Sequence, residues 1–131
     1  MSSATERFDF GVPWEIGYGY SQAVRVGDVL YISGQLSHDA DGNFVDGDFE
    51  LQTKTAFANL DAVLCHYGAN RAQIVQTTVR VKGLPSHFDA ICQLHANYFG
   101  EDRPTSAVYG VVDLAFPNQL VEVCAIAHLT I

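Results

Sequence analysis

The chain has 131 residues, 48% of them hydrophobic and 17% charged, a balance that suits one folded domain and excludes a disordered chain. Seven Lys and Arg against 15 Asp and Glu give a net charge of −8, and Arg7, Arg25, Lys54, Arg71, Arg80, Lys82 and Arg103 are scattered. A phosphate backbone therefore meets repulsion and no basic stripe, so nucleic acid is not an expected partner.

No apolar run approaches the ~20 residues needed to cross a bilayer, so no membrane partner is expected. The opening MSSATERFDF lacks the basic start and apolar stretch of a signal peptide. Cys65, Cys92 and Cys124 are odd in number and widely spaced, which reads as reduced thiols rather than a disulfide framework. Together these features predict a cytoplasmic protein built as a single domain over residues 1–131.

Residues 1 to about 15 have weak periodicity and read as a loosely held lead-in. Ala23 to Gly34 reads as two strands meeting at a Gly27-Asp28 turn, with β-branched and aromatic residues on both sides. Asp39 to Asp48 is polar, with Gly42 and Gly47, and reads as a loop or hairpin tip. Asp39, Asp41, Asn43 and Glu50 partly match a calcium-binding loop, but Phe44 stands where the sharp turn needs glycine, so a solvated tip is the better reading.

Glu50 to Tyr67 carries Ala56, Leu60, Val63, Leu64 and Tyr67 at three- and four-residue spacing, which predicts an amphipathic helix stopped by Gly68. Ile74 to Lys82 reads as a strand. Pro85-Ser86 opens a second helix, with Ser86 as its cap, Asp89 near its positive end, Phe88, Ile91, His95 and Tyr98 on one side, and Gly100 as its stop. Thr105 to Val112 and Leu120 to Ile131 complete the set as strands. The order predicts an α+β fold with a mixed β-sheet and two helices packed on one face. Strands this apolar leave the other face in need of a cover, which a further subunit would supply.

Three features carry candidate chemistry. Cys92 and His95 lie three apart on a helix, close enough for a thiol–imidazole pair, although an inert thiol beside a packed His is the commoner outcome, and two ligands are too few for a metal. Glu122 interrupts the otherwise apolar run Leu120 to Ala127, and a carboxylate on a strand that reads as buried needs either a partner or a proton. Its functional reading is a water-orienting or proton-handling group in a pocket; its structural reading is an edge strand facing water. Tyr20, in Tyr18-Gly19-Tyr20-Ser21-Gln22, either packs in a turn or lines a small-molecule pocket.

Taken in order, Tyr20-Ser21-Gln22-Ala23, Ile32-Ser33-Gly34-Gln35, Gln52-Thr53 with Asn59-Leu60, Gly68, Thr77-Thr78-Val79, Tyr98-Phe99-Gly100, Pro104 and Val121-Glu122-Val123 resemble the Rid family, also called YjgF/YER057c/UK114 or endoribonuclease L-PSP. The resemblance covers nearly all of residues 18–128. It implies a chorismate-mutase-like α+β fold, a homotrimer, and small-molecule pockets between subunits. It also implies cofactor-free hydrolysis of enamines and imines, such as 2-aminoacrylate, to a 2-keto acid and ammonia, with no metal. By the same resemblance Glu122 is the catalytic carboxylate that handles the attacking water, and Tyr20 and Gly34 line the pocket. The family's carboxylate-gripping Arg falls at Ser106, its frequent Asn at Cys92 and a frequent Tyr at His95. A hydroxyl at Ser106 cannot replace a bidentate guanidinium, so the substrate-binding positions Cys92 and Ser106 imply an atypical substrate. The alternative is a trimer that binds a metabolite or a protein without chemistry. The charge of −8 argues against the ribonuclease activity in the family's older label.

Overall fold

The computed structural model describes residues 5–131. Its elements, in chain order, are β1 (Thr5–Phe8), α1 (Pro13–Tyr18), β2 (Ala23–Val26), β3 (Val29–Gln35), α2 (Phe49–His66), β4 (Ile74–Lys82), α3 (Leu84–Phe99), β5 (Thr105–Val111) and β6 (Val121–His128), with a 3-10 turn at Arg71–Gln73. The six strands form one mixed sheet in the order β1-β2-β3-β6-β4-β5. The last strand of the chain thus inserts between β3 and β4 and runs antiparallel to both, while α3 crosses from β4 to its parallel neighbour β5.

The expected α+β architecture with a mixed sheet is present; α2 and α3 are the two expected helices, and the short α1 is a third among the described residues. The lead-in also holds more order than its sequence pattern suggests. β1 pairs antiparallel with β2, and α1 follows it. The Glu15 carboxylate, only 2% exposed, accepts hydrogen bonds from the backbone N–H groups of Phe10, Gly11 and Val12 at 2.8–3.0 Å. Those contacts satisfy donors that a helix N-terminus leaves open and lock the chain's entry into α1.

The long elements follow the expected pattern closely. Asp48 caps α2 by accepting from Leu51 N–H at 2.9 Å, and Gly68 beyond its end adopts φ +66°, the left-handed stop. Ala56, Leu60, Val63 and Leu64 of α2 are buried together with Leu30, Val79, Val81, Ile91, Phe99, Val121 and Val123 in one core between sheet and helices. The start of α3 differs from expectation: Gly83, at φ +69°, holds the cap position and makes no side-chain cap bond, so Ser86 lies inside the first turn. Phe88 is not on the packed side of α3 but 51% exposed.

β6 alternates strictly. Val121, Val123, Ala125 and Ala127 are buried in the core, and Glu122, Cys124, Ile126 and His128 are half-buried on the opposite face. That face is more mixed than the apolar run implies. Val24, Tyr31, Thr78, Cys124 and Ile126 line a shallow depression of about 260 Å³ on it. Glu122 therefore stands on the central strand with its back to the core rather than within it.

Two side chains of α2 tie down the loops at this end of the sheet. Gln52 is fully buried; its Nε2 donates to the Gly47 and Asn118 carbonyls at 3.0 and 2.9 Å, and its Oε1 accepts from Leu120 N–H at 2.9 Å. Asn59 Nδ2 donates to the Leu36 and His38 carbonyls at 2.8 and 3.1 Å. Replacing Gln52 by Leu keeps the bulk and removes the hydrogen bonds to all three backbone partners. Urea denaturation is expected to show a loss of about 1–3 kcal/mol, and an unchanged midpoint would mean that water or the loops satisfy those groups equally well.

Candidate functional site

The N-terminal part of β6, the end of β3 and α1 enclose a cavity of about 420 Å³ lined by Tyr20, Ser33, Gly34, Gln119 and Glu122, with Trp14, Tyr18 and Phe116 as aromatic walls. Its floor depends on one glycine. The pairing of β3 with β6 shifts register between Ile32 and Gln35, a bulge at Ser33-Gly34. A Cβ built on Gly34 would fall on the Glu122 carboxylate. Gly34 is needed for this close approach and not for an unusual φ, since it is absent from the left-handed glycines.

Around Glu122 the electrostatics are asymmetric. Cys124 Sγ lies 3.9 Å from Glu122 Oε1 and 3.4 Å from Arg80 Nη1. Burial pushes the Cys124 thiol up, and the Glu122 carboxylate adds to that, so it stays a thiol beside the carboxylate. The Tyr20 phenol is likewise raised, first by burial and then by Glu15 and Glu122. It stays protonated in the neutral range and keeps an O–H to donate.

A second cleft, of about 440 Å³, lies at the other side of the protomer, where α3 meets β5. Cys92, His95, Arg103 and Ser106 line it over Ile91, Phe99 and Val108. Thr77 Oγ1 donates to Ser106 Oγ at 2.7 Å and lies 2.9 Å from His95 Nε2. Burial lowers the pKa of His95 below its ordinary value, so the ring is neutral at pH 7. His95 is thus engaged with Thr77, and no hydrogen bond joins it to Cys92 among the described residues; the thiol–imidazole pair is not formed. Arg103 holds φ +40°, and no ion pair or hydrogen bond engages its guanidinium among the described residues.

The five residues singled out from the sequence therefore divide within one protomer. Tyr20, Gly34 and Glu122 share the first cavity, and Cys92 and Ser106 share the second. The calcium-like loop is a hairpin tip closed by the His38–Phe44 bridge, and the Asp39 carboxylate accepts from Asp41 and Asn43 N–H at 3.0 and 2.9 Å. Sequence reasoning missed Trp14, Phe116 and Gln119. The first two lie in a segment without period and in a loop; the signal for α1 was Pro13 followed by Glu15, a helix start.

The family model described as endoribonuclease L-PSP matches residues 15–129. A RutC family protein of Pyrococcus abyssi is 36% identical over 110 residues, covering 83% of this chain and 85% of the relative. The human 2-iminobutanoate/2-iminopropanoate deaminase is 32% identical over 109 residues, covering 82% and 78%. Among solved structures, a Rid family protein of unknown function from Yersinia pestis superposes with a TM-score of 0.85 at 32% identity, covering 95% and 99% of the two chains. A YjgF/YER057c/UK114 family member from Mycobacterium tuberculosis gives 0.84 at 29%, covering 95% and 98%.

The chain belongs to the Rid family. In this Rid chain, several residues that carry the family pattern hold the cavity's frame rather than line it. Gln52 and Asn59 latch the loops on its two sides, and Gln22 accepts from Gln35 Nε2 at 2.9 Å beneath the Ser33-Gly34 bulge. The Gly34–Glu122 approach gives a direct test. Gly34→Ala is expected to cost about 1–3 kcal/mol in urea denaturation through overpacking, and clearly less in a Glu122→Ala background. Costs that add to within about 0.5 kcal/mol would show that the two positions do not meet.

Proposed function

We propose that this Rid protein hydrolyses the C=N bond of an imine, or of the imine tautomer of an enamine, with Glu122 as the group that handles the attacking water. The observation that carries this reading is a carboxylate held against the Gly34 backbone in a cavity with a protonated Tyr20 phenol, away from the core but out of open solvent. The name of the human deaminase relative supports the same reaction class. An enamine first tautomerises to the imine, and the reacting form is the iminium. Glu122 takes a proton from water as the water oxygen bonds to the iminium carbon and the C=N π pair moves to nitrogen. The resulting carbinolamine takes that proton on nitrogen; the C–N bond pair then leaves with ammonia as the freed Glu122 carboxylate takes the O–H proton, and passing that proton to the ammonia gives a carbonyl compound and ammonium. The protein side chains and water balance this sequence.

In this reading the two half-sites are brought together by assembly. A homotrimer in the cytoplasm would seat Cys92 and Ser106 of one subunit opposite Tyr20, Gly34 and Glu122 of the next, covering the helix-free sheet face at the same time. The clamp end then offers Ser106, Thr77 and a neutral His95 as hydrogen-bonding groups, with Arg103 the one cation lining the same cleft. Ser106 cannot make a guanidinium–carboxylate pair, which contributes roughly 1.5–3 kcal/mol, so the substrate is one that depends less on a carboxylate gripped from that position.

The test is a screen of imines and enamines with ammonia release as readout, run on the wild type and on Glu122→Gln. Turnover of the best substrate is expected to fall by roughly 10²–10⁴-fold in the variant, while light scattering gives the same mass for both, about three times 14.3 kDa. Undiminished turnover in Glu122→Gln would reject the carboxylate mechanism. Binding without turnover in the wild type would favour the non-catalytic reading.

A further inference from the structure

The walls of the Glu122 cavity carry information about what enters it. Trp14 and Phe116 meet edge to face, with ring centroids 5.6 Å apart and planes at 68°. Each is fixed from behind by its own chain. Phe116 stacks on Phe44 at 5.2 Å and 16°, and its backbone N–H donates to Oε1 of Gln119, a side chain only 1% exposed, at 3.2 Å. Trp14 packs edge to face on His38 at 5.7 Å. Gly42 lets the hairpin tip close over the indole: a Cβ there would lie 3.2 Å from Trp14 Cζ3. Glu15, through its three backbone contacts, fixes the start of the helix that carries Trp14.

The result is a preformed aromatic corner on the wall of the cavity that Glu122 occupies. Two rings meeting at 68° gain most from a flat aromatic partner, which can stack on one and meet the other edge-on. A three- or four-carbon imine has no ring to stack there. A cavity of about 420 Å³ also lies in the range of roughly 300–1,000 Å³ that takes larger organic ligands.

Building on the C=N hydrolase reading, we infer that Trp14 and Phe116 are specificity-determining residues that select an aryl-bearing substrate, its ring in the aromatic corner and its C=N carbon towards Glu122. A ring held in the aromatic corner supplies binding at the Glu122 end that does not depend on a group at position 106.

The test uses binding, so it does not depend on turnover. Acetophenone, the carbonyl product of an aryl ketimine, is compared with cyclohexyl methyl ketone, which has the same carbon skeleton with a saturated, thicker ring. Dissociation constants come from calorimetry on the intact protein. The indole N–H signal of Trp14, the chain's one tryptophan, reports the location in an NMR titration. Acetophenone is expected to bind about three- to tenfold more tightly and to shift the Trp14 signal. Phe116→Leu, which keeps an apolar side chain without a ring, is expected to bring the ratio towards one. Equal affinities, a preference for the saturated ring, or a Trp14 signal that does not move would overturn the inference. Selectivity that survives when no imine is turned over would instead overturn the C=N hydrolase reading and leave the aromatic corner in place.

Discussion

The close approach of Glu122 to the Gly34 backbone sets the form of the cavity. It requires a residue without a side chain on β3, a bulge that turns the β3 backbone under the carboxylate, and a central strand that holds Glu122 opposite it. The topology supplies the last of these. Because β6 enters between β3 and β4, Glu122 has paired strands on both sides, and the core residues Val121 and Val123 anchor it from behind. A carboxylate on a central strand is fixed in direction in a way that one on a loop is not, and that rigidity is what positioning a water for attack requires.

The cavity's loops are rigid for a different reason. α2 packs its apolar stripe on the sheet and turns Gln52 and Asn59 towards the strand ends. Between them these two side chains hold the segment leaving β3, the segment entering α2 and the segment entering β6. Gln119 then holds Phe116, and Glu15 holds the start of α1. Buried polar side chains thus do at the cavity rim what regular secondary structure does elsewhere: they pair backbone groups that would otherwise be orphaned.

The parts of this arrangement visible in the sequence are those with a repeating pattern. α2, β4 and α3 are long, and their apolar spacing or β-branched content identifies them; β4 spans the predicted residues, and the helix ends fall within a residue or two of theirs. β1 and α1 escape because four strand residues, three of them exposed, and six helical ones show no period; a neighbouring backbone and one carboxylate hold them. Glu122 is legible as a charge in an apolar run, but the run conceals that its neighbours alternate between core and open face, since Cys124, Ile126 and the core residues are similarly apolar. Tyr20 and Gly34 were found through the family pattern, whereas Trp14 and Phe116 were not, because a loop aromatic looks the same in sequence whether it faces solvent or a cavity. Cys92 and Ser106 line one cleft, and no feature of the sequence tells that it is separate from the Glu122 cavity within one protomer.

A crystal structure of the protein with a bound ketone product such as acetophenone tests the central claim most directly. The account predicts the carbonyl carbon within about 3.5 Å of a water or oxygen held by Glu122, above Gly34, in a cavity closed by a neighbouring subunit that contributes its Ser106 cleft. A ligand seated away from Glu122, or a Glu122 side chain turned off Gly34 with the cavity closed, would contradict it.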